Sequence, residues 1–150
     1  MGININHDNA GFQPLEAGWY EVYPTVFDAT TAQSSGNKMV VFNYVVRDDV
    51  EQAGQGQEIR FDNFVETDAA LWRLNAASKA AGIDNDAEFE DIYAWAKEFQ
   101  GRSLQVQVGH REYNGNKYAE VRAFKESEHG GFLKPSELEK YKKQGNGGNA

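Results

Sequence analysis

No cysteine occurs among the 150 residues, which excludes disulfides, thiolate ligands for zinc or iron–sulfur clusters, and a thiol nucleophile. Histidine is scarce. His7, His110 and His129 fall in the amino-terminal lead-in, on a predicted strand and near the carboxyl end, with no H-x-x-x-H or H-x-H spacing. Zinc needs several convergent ligands, so neither a metal nor any other cofactor is expected. Long apolar runs are also missing: the longest, Val40 to Phe42 continued by Tyr44, Val45 and Val46, is far short of the ~20 residues that span a bilayer. The polar start Met-Gly-Ile-Asn-Ile-Asn-His-Asp has no signal-peptide core, so a cytoplasmic setting without membrane contact is expected. Positive charge is in deficit, with 15 Lys and Arg against 23 Asp and Glu for a net −8. That balance opposes the basic footprint of a nucleic-acid binder, and a reading that invokes DNA must find a local exception.

What is present suits one globular domain: 40% hydrophobic and 13% aromatic residues supply a sizeable core. The acidity is regional. Residues 62–100 hold 9 acidic and 3 basic side chains, −6 of the net −8, whereas 101–124 hold 2 and 4, and 125–150 hold 4 and 5, together +3. An acidic flank on one side leaves room for a neutral or basic face on the other.

Periodicity organises the chain. A turn-rich lead-in at Gly11 to Gly18 precedes a long strand over 19–32, a turn at Ser34-Ser35-Gly36-Asn37, and a second strand over 38–47 rich in β-branched and aromatic residues. A loop with Gly54 and Gly56 leads to a third strand over 58–65, where Ile59 and Phe61 alternate with Arg60 and Asp62. From Asp68 the period becomes helical: Leu71, Leu74, Ser78 and Ala81 share a stripe, Thr67 or Asp68 can cap it, and Gly82 can end it. Trp72, one residue off that stripe, is expected to plug the end of the barrel described next. Asn85 and Glu88 stand at capping-box spacing before a second helix with Phe89, Ile92, Ala96 and Phe99 on its apolar side, closed by Gly101. Leu104, Val106 and Val108, the turn Asn114-Gly115-Asn116, and a strand over 117–124 make a closing hairpin.

Three strands, two mid-chain helices and a two-strand return is the order of an OB-fold, a mostly β five-stranded barrel with a helical insertion between strands three and four. It predicts a domain over 1–124 and a charged, partly disordered tail over 125–150, with a short helix over 137–144 and a disordered end over 145–150.

The glycine clusters lack the lysine and Ser/Thr of a phosphate-binding loop, and Asp48, Asp49 and Glu51 read as solvated shoulder residues, so no catalytic constellation is visible. The aromatics are more informative. If Tyr20, Val22 and Val26 fill the barrel, Tyr23 and Phe27 point out; if Val40, Phe42, Tyr44 and Val46 point in, then Met39, Val41, Asn43, Val45 and Arg47 face out. Outward aromatics beside cations are the ingredients for stacking a base while neutralising its phosphate. The competing accounts are packing under helices or tail, and a homodimer interface. On the closing hairpin Arg111, Tyr113, Lys117, Tyr118 and Arg122 surround one turn, the most basic stretch of the folded region. The candidate DNA-binding residues are therefore Tyr23, Phe27, Met39, Val41, Asn43, Arg47 and Arg60 on the first three strands, with Arg111, Tyr113, Lys117, Tyr118 and Arg122 on the hairpin.

Four strings carry a resemblance: Gly11-Phe12 with Pro14-Leu15-Glu16-Ala17-Gly18-Trp19-Tyr20-Glu21-Val22, Phe61-Asp62-Asn63-Phe64, Ala70-Leu71-Trp72-Arg73-Leu74, and Tyr113-Asn114-Gly115-Asn116-Lys117-Tyr118-Ala119-Glu120-Val121. In order and spacing, over roughly residues 11–124, the chain resembles a family of phage-encoded proteins, formerly of unknown function, from replication and recombination modules. They are regarded as single-stranded DNA-binding proteins with an OB-fold. The resemblance implies non-catalytic, sequence-tolerant binding of single-stranded DNA in the host cytoplasm, with a phage recombinase or replication protein as a further partner. The alternative on the same fold is a protein-interaction module, such as a host-enzyme inhibitor or DNA mimic. Many single-stranded DNA-binding proteins end in an acidic tip, whereas residues 140–150 here hold three lysines and no acid.

Overall fold

The computed structural model describes residues 15–149, with side chains through Lys142. The lead-in at 11–14, His7 and Ala150 lie outside the described residues. The elements are β1 (Gly18–Thr31), β2 (Lys38–Val46), β3 (Glu58–Val65), α1 (Leu71–Ala80), α2 (Ile92–Phe99), β4 (Leu104–Tyr113), β5 (Asn116–Lys125) and α3 (Pro135–Asn149). All strands pair antiparallel in one sheet of order β3-β2-β1-β4-β5.

This sheet is open, so the OB-fold barrel expected from element order is not formed. A barrel would require the two edges, β3 and β5, to exchange ladder bonds; side chains lie between them instead. Phe64 of β3 meets Phe124 of β5 with ring centroids 6.0 Å apart, and the Arg73 guanidinium from α1 covers both rings. Strand count and order are the same for an open and a closed sheet, and only the edge pairing tells them apart.

One face of the sheet carries the core. Val40, Phe42, Tyr44 and Val46 of β2 are fully buried, the face expected from their parity. Trp95 and Phe99 of α2 stack on each other at 4.7 Å, and both meet Phe42 edge-on. Burying each such ring stabilises the fold by roughly 1.5 to 3 kcal/mol. On β1 the parity changes midway. Val22 pairs with Val46 and Pro24 with Tyr44, but Phe27 pairs with Phe42, so one extra residue lies between Pro24 and Phe27. That bulge turns Phe27 inward onto Phe42, 5.0 Å between centroids, against the outward placement expected from strict alternation.

The helices begin and end where tertiary partners allow. α1 starts at Leu71 after a turn in which Thr67 Oγ1 accepts from the Ala70 N–H at 3.1 Å, and Gly82 follows with φ +75°. α2 starts at Ile92, not after Asn85: Asp91 is its cap, accepting from the Ala94 N–H at 2.9 Å, while Glu66 accepts from the Ile92 N–H at 2.7 Å. Trp72 does not plug the sheet's end; it is 66% exposed. α3 is longer than the 137–144 expected, its backbone continuing through the Gly and Asn run to Asn149. Gly and Asn are poor helix formers, so this extension runs against local propensity.

The opposite face of the sheet is covered by the chain itself. After β5, residues 126–133 run back across it. Glu21 accepts from the Ser127 hydroxyl and the Glu128 N–H, Gln105 Nε2 donates to the Glu126 carbonyl, and Arg47 Nη1 donates to the Gly130 carbonyl at 2.7 Å. Arg102 bridges to Phe132, Leu133 N–H donates to the Gly101 carbonyl, and α3 then packs on β1. Among the described residues no helix is long and apolar enough to cross a membrane.

Candidate functional site

The site is built on a second bulge. Phe42 pairs with Asp62 but Tyr44 pairs with Ile59, so β3 carries one residue more than β2 between these points. The extra residue shifts parity. Asp62, expected on the side of Arg60, turns into the core, and Phe61, expected inward with Ile59, turns out and is 69% exposed. Phe61 has φ +67°, the left-handed region in which a Cβ crowds the backbone and which glycine normally occupies. Its N–H donates to Asn43 Oδ1 at 3.2 Å, which ties this bulge to β2. The Asn43 carbonyl accepts from Thr25 Oγ1 at 3.2 Å, which ties β2 to the β1 bulge as well.

The buried carboxylate created by this turn is fully partnered. Asp62 Oδ2 accepts from the Tyr44 hydroxyl at 2.5 Å and Oδ1 from Arg73 Nη2 at 2.5 Å. Burial raises the Asp62 carboxyl from its ordinary value, and the Arg73 charge opposes that rise. Burial, reinforced by the Asp62 charge, pushes the Tyr44 phenol well up, so it remains a donor.

Phe61 stands at a cleft of about 640 Å³ at the open seam of the sheet. Gln57, Arg60 and Phe61 line it from the β3 side, and Arg111, Tyr118 and Ala119 from the hairpin β4–β5. Arg111 and Tyr118 are register partners across that hairpin. Arg60 pairs with Glu58 at 2.9 Å, both outside the core. Glu58 lines the cleft too, so the cleft offers two aromatic rings, the Arg111 guanidinium and an Arg60–Glu58 pair to whatever enters it. A π-face with an adjacent cation suits a planar, anionic ligand such as a nucleotide.

The residues singled out in the sequence divide into three sets. Arg60, Arg111 and Tyr118 come together in the cleft, with Tyr113, 63% exposed, and exposed Lys117 near the hairpin tip formed by Asn114 and Gly115. Arg122 is on the same hairpin but is committed: it crosses Gly109, donates to the His110 carbonyl at 2.6 Å and pairs with Glu120 at 3.3 Å. The remaining six are elsewhere. Phe27 packs on the core; Met39, Val41 and Asn43 are half-buried on β2; Arg47 is 5% exposed, holding Asp49 and Gly130 and covering the Tyr23 ring at 4.6 Å. The expected outward face of β1 and β2 is thus closed by residues 126–133 at Arg47 and Tyr23.

Sequence reasoning missed Phe61, and the signal was present. Ile59, Phe61 and Phe64 cannot all share one face at period two, since the last step is three. The uneven spacing shows that alternation breaks somewhere in the run, but where the extra residue falls is settled by the pairing with β2.

No curated protein matches the chain. A family described as "Protein of unknown function (DUF669)" matches residues 3–132, most of its length. The chain belongs to this family.

Proposed function

We propose that the protein is a non-catalytic, sequence-tolerant binder of single-stranded DNA, acting in phage replication or recombination, and that the strand enters the cleft between β3 and the hairpin β4–β5. The observation that carries the reading is Phe61. A bulky aromatic held at φ +67° and 69% exposed costs stability without filling the core, and strain of this kind concentrates where a side chain must be presented to a ligand. Arg60, Arg111 and Tyr118 around it supply the cations and a second ring. The phage setting is supported by the four sequence strings described above. A phage recombinase or replication protein would be the further partner, and the host cytoplasm the place. The net −8 is uneven along the chain: residues 62–100 hold −6 of it, whereas 101–124, which include most of the hairpin, hold 2 acidic and 4 basic side chains.

Fluorescence anisotropy with labelled oligo-dT tests this. Single strands should bind more tightly than duplex of the same length, with a log-log salt slope near −0.7 per phosphate neutralised. Phe61→Ala should weaken binding by roughly 5- to 150-fold, the range for a base stack of about 1 to 3 kcal/mol. Equal affinity for duplex, or an unchanged affinity in Phe61→Ala, would overturn the reading.

A further inference from the structure

The open seam is not empty along its whole length. Arg73, reaching from α1, spans it beyond the cleft. Its Nη1 donates to the Asn63 carbonyl of β3 at 2.9 Å, and its Nη2 donates both to Asp62 Oδ1 at 2.5 Å and to the Val121 carbonyl of β5 at 3.3 Å. Its guanidinium plane lies over Phe64 of β3 at 4.6 Å and over Phe124 of β5 at 5.0 Å. One side chain thus supplies polar and π contacts to both edges of a sheet that has no ladder bonds there. The cleft occupies the adjoining stretch of the same seam, with Phe61 directly before Asp62 on β3 and Ala119 two residues before Val121 on β5.

We infer that Arg73 is a positioning residue for the cleft: it sets the separation of the two strand edges and, through Asp62, holds Phe61 in its left-handed, outward pose. The inference rests on the reading of the cleft as a single-stranded DNA site. Asp62 cannot turn away, because its other oxygen is held by Tyr44. Were Asp62 released, the bulge could revert to regular alternation, which would send Phe61 toward the core and Asp62 out. Arginine suits the task because a planar guanidinium presents several donors at its rim and two apolar-compatible faces, whereas the compact lysine ammonium can do one or the other. With its side chain 19% exposed and both terminal nitrogens bonded within the protein, Arg73 has little to offer a phosphate directly.

A double-mutant cycle on the full chain separates these roles. Oligo-dT affinity is measured for wild type, Arg73→Met, Phe61→Ala and the double variant, each well below its melting temperature with folding verified by circular dichroism. If Arg73 acts through Phe61, Arg73→Met weakens binding about tenfold in the wild-type background and less than about twofold in Phe61→Ala. Additive losses, or wild-type affinity in Arg73→Met, overturn the inference while leaving the DNA reading in place. Where Arg73→Met does not fold, Arg73→Lys replaces it throughout. Amide hydrogen exchange supplies a readout that needs no DNA: Arg73→Lys should accelerate exchange at Phe61, whose N–H is held by Asn43, and unchanged protection there overturns the inference. Failure of the wild type to bind oligo-dT overturns the DNA reading instead.

Discussion

Phe61 is a residue whose backbone and side chain make opposite demands. Its side chain is large and exposed, and its backbone adopts a conformation that disfavours every Cβ. Glycine in a regular strand is worse than alanine by roughly 0.5 to 1 kcal/mol. At φ +67° the order should reverse, because glycine alone escapes the left-handed penalty of about 1 to 2 kcal/mol. Phe61→Gly is therefore expected to be more stable than Phe61→Ala by about 1 kcal/mol in urea denaturation, while both lose the ring. If alanine proves the more stable of the two, the backbone at this position is an ordinary strand, and no strain marks Phe61 for a ligand.

Among the elements, the helices show what can be read from a sequence and what cannot. The apolar stripe of α2, Ile92, Ala96 and Phe99, was legible because 3.6-residue periodicity is local, and these three are buried. Its start was not. Asn85, Asp86 and Asp91 all have capping side chains, and the choice fell to Asp91 through partners distant in sequence, Lys38 at 3.0 Å and Glu66 on the Ile92 N–H. The strands show the same division. Alternation on β2 was legible, but the bulges in β1 and β3 were not, because each depends on which neighbour the strand meets. Phe27 and Phe61 therefore exchanged their expected roles, one entering the core and one leaving it. Ser78 is a further case: a polar residue on the α1 stripe has no local explanation. Its Oγ accepts from the Trp95 indole N–H of α2 at 2.8 Å and donates to the Leu74 carbonyl at 2.7 Å, so it joins the two helices. Ser78→Ala leaves the N–H of a tryptophan that is only 5% exposed without an acceptor. The expected cost is about 1 to 3 kcal/mol, measured by denaturant titration with m unchanged. A loss within a few tenths of a kcal/mol would mean that the helices are held by ring packing alone.

On the scale of the whole molecule, the two faces of the sheet are closed by different means. α1 and α2 cover one with apolar side chains, and residues 126–133 cover the other with hydrogen bonds to buried polar groups. Nothing in the local pattern of 126–133 announces this, since Glu126, Ser127, Glu128, His129, Gly130 and Gly131 read as an ordinary solvated linker. The matching signals, Glu21 and Gln105 on the outer face of β1 and β4 and Arg47 directly after β2, are separated from it by up to 107 positions. The cleft lies apart from this cover, so stability and oligonucleotide binding should separate on truncation. Ending the chain after Lys125 removes Leu133, 8% exposed, the Ser127 and Glu128 donors to Glu21, and the Gly130 acceptor of Arg47. Water can replace the polar partners, but not the apolar burial, so a loss of at least about 2 kcal/mol is expected, roughly 4 to 8 °C in melting temperature for a domain of this size. Oligo-dT affinity of the folded fraction, measured at low temperature, should remain within about twofold, because Arg60, Phe61, Arg111 and Tyr118 do not touch the removed segment in any hydrogen bond or ion pair among the described residues. A truncated protein that binds much more tightly would show that residues 126–149 shield a second surface, formed by Tyr23 and Arg47 on the opposite face.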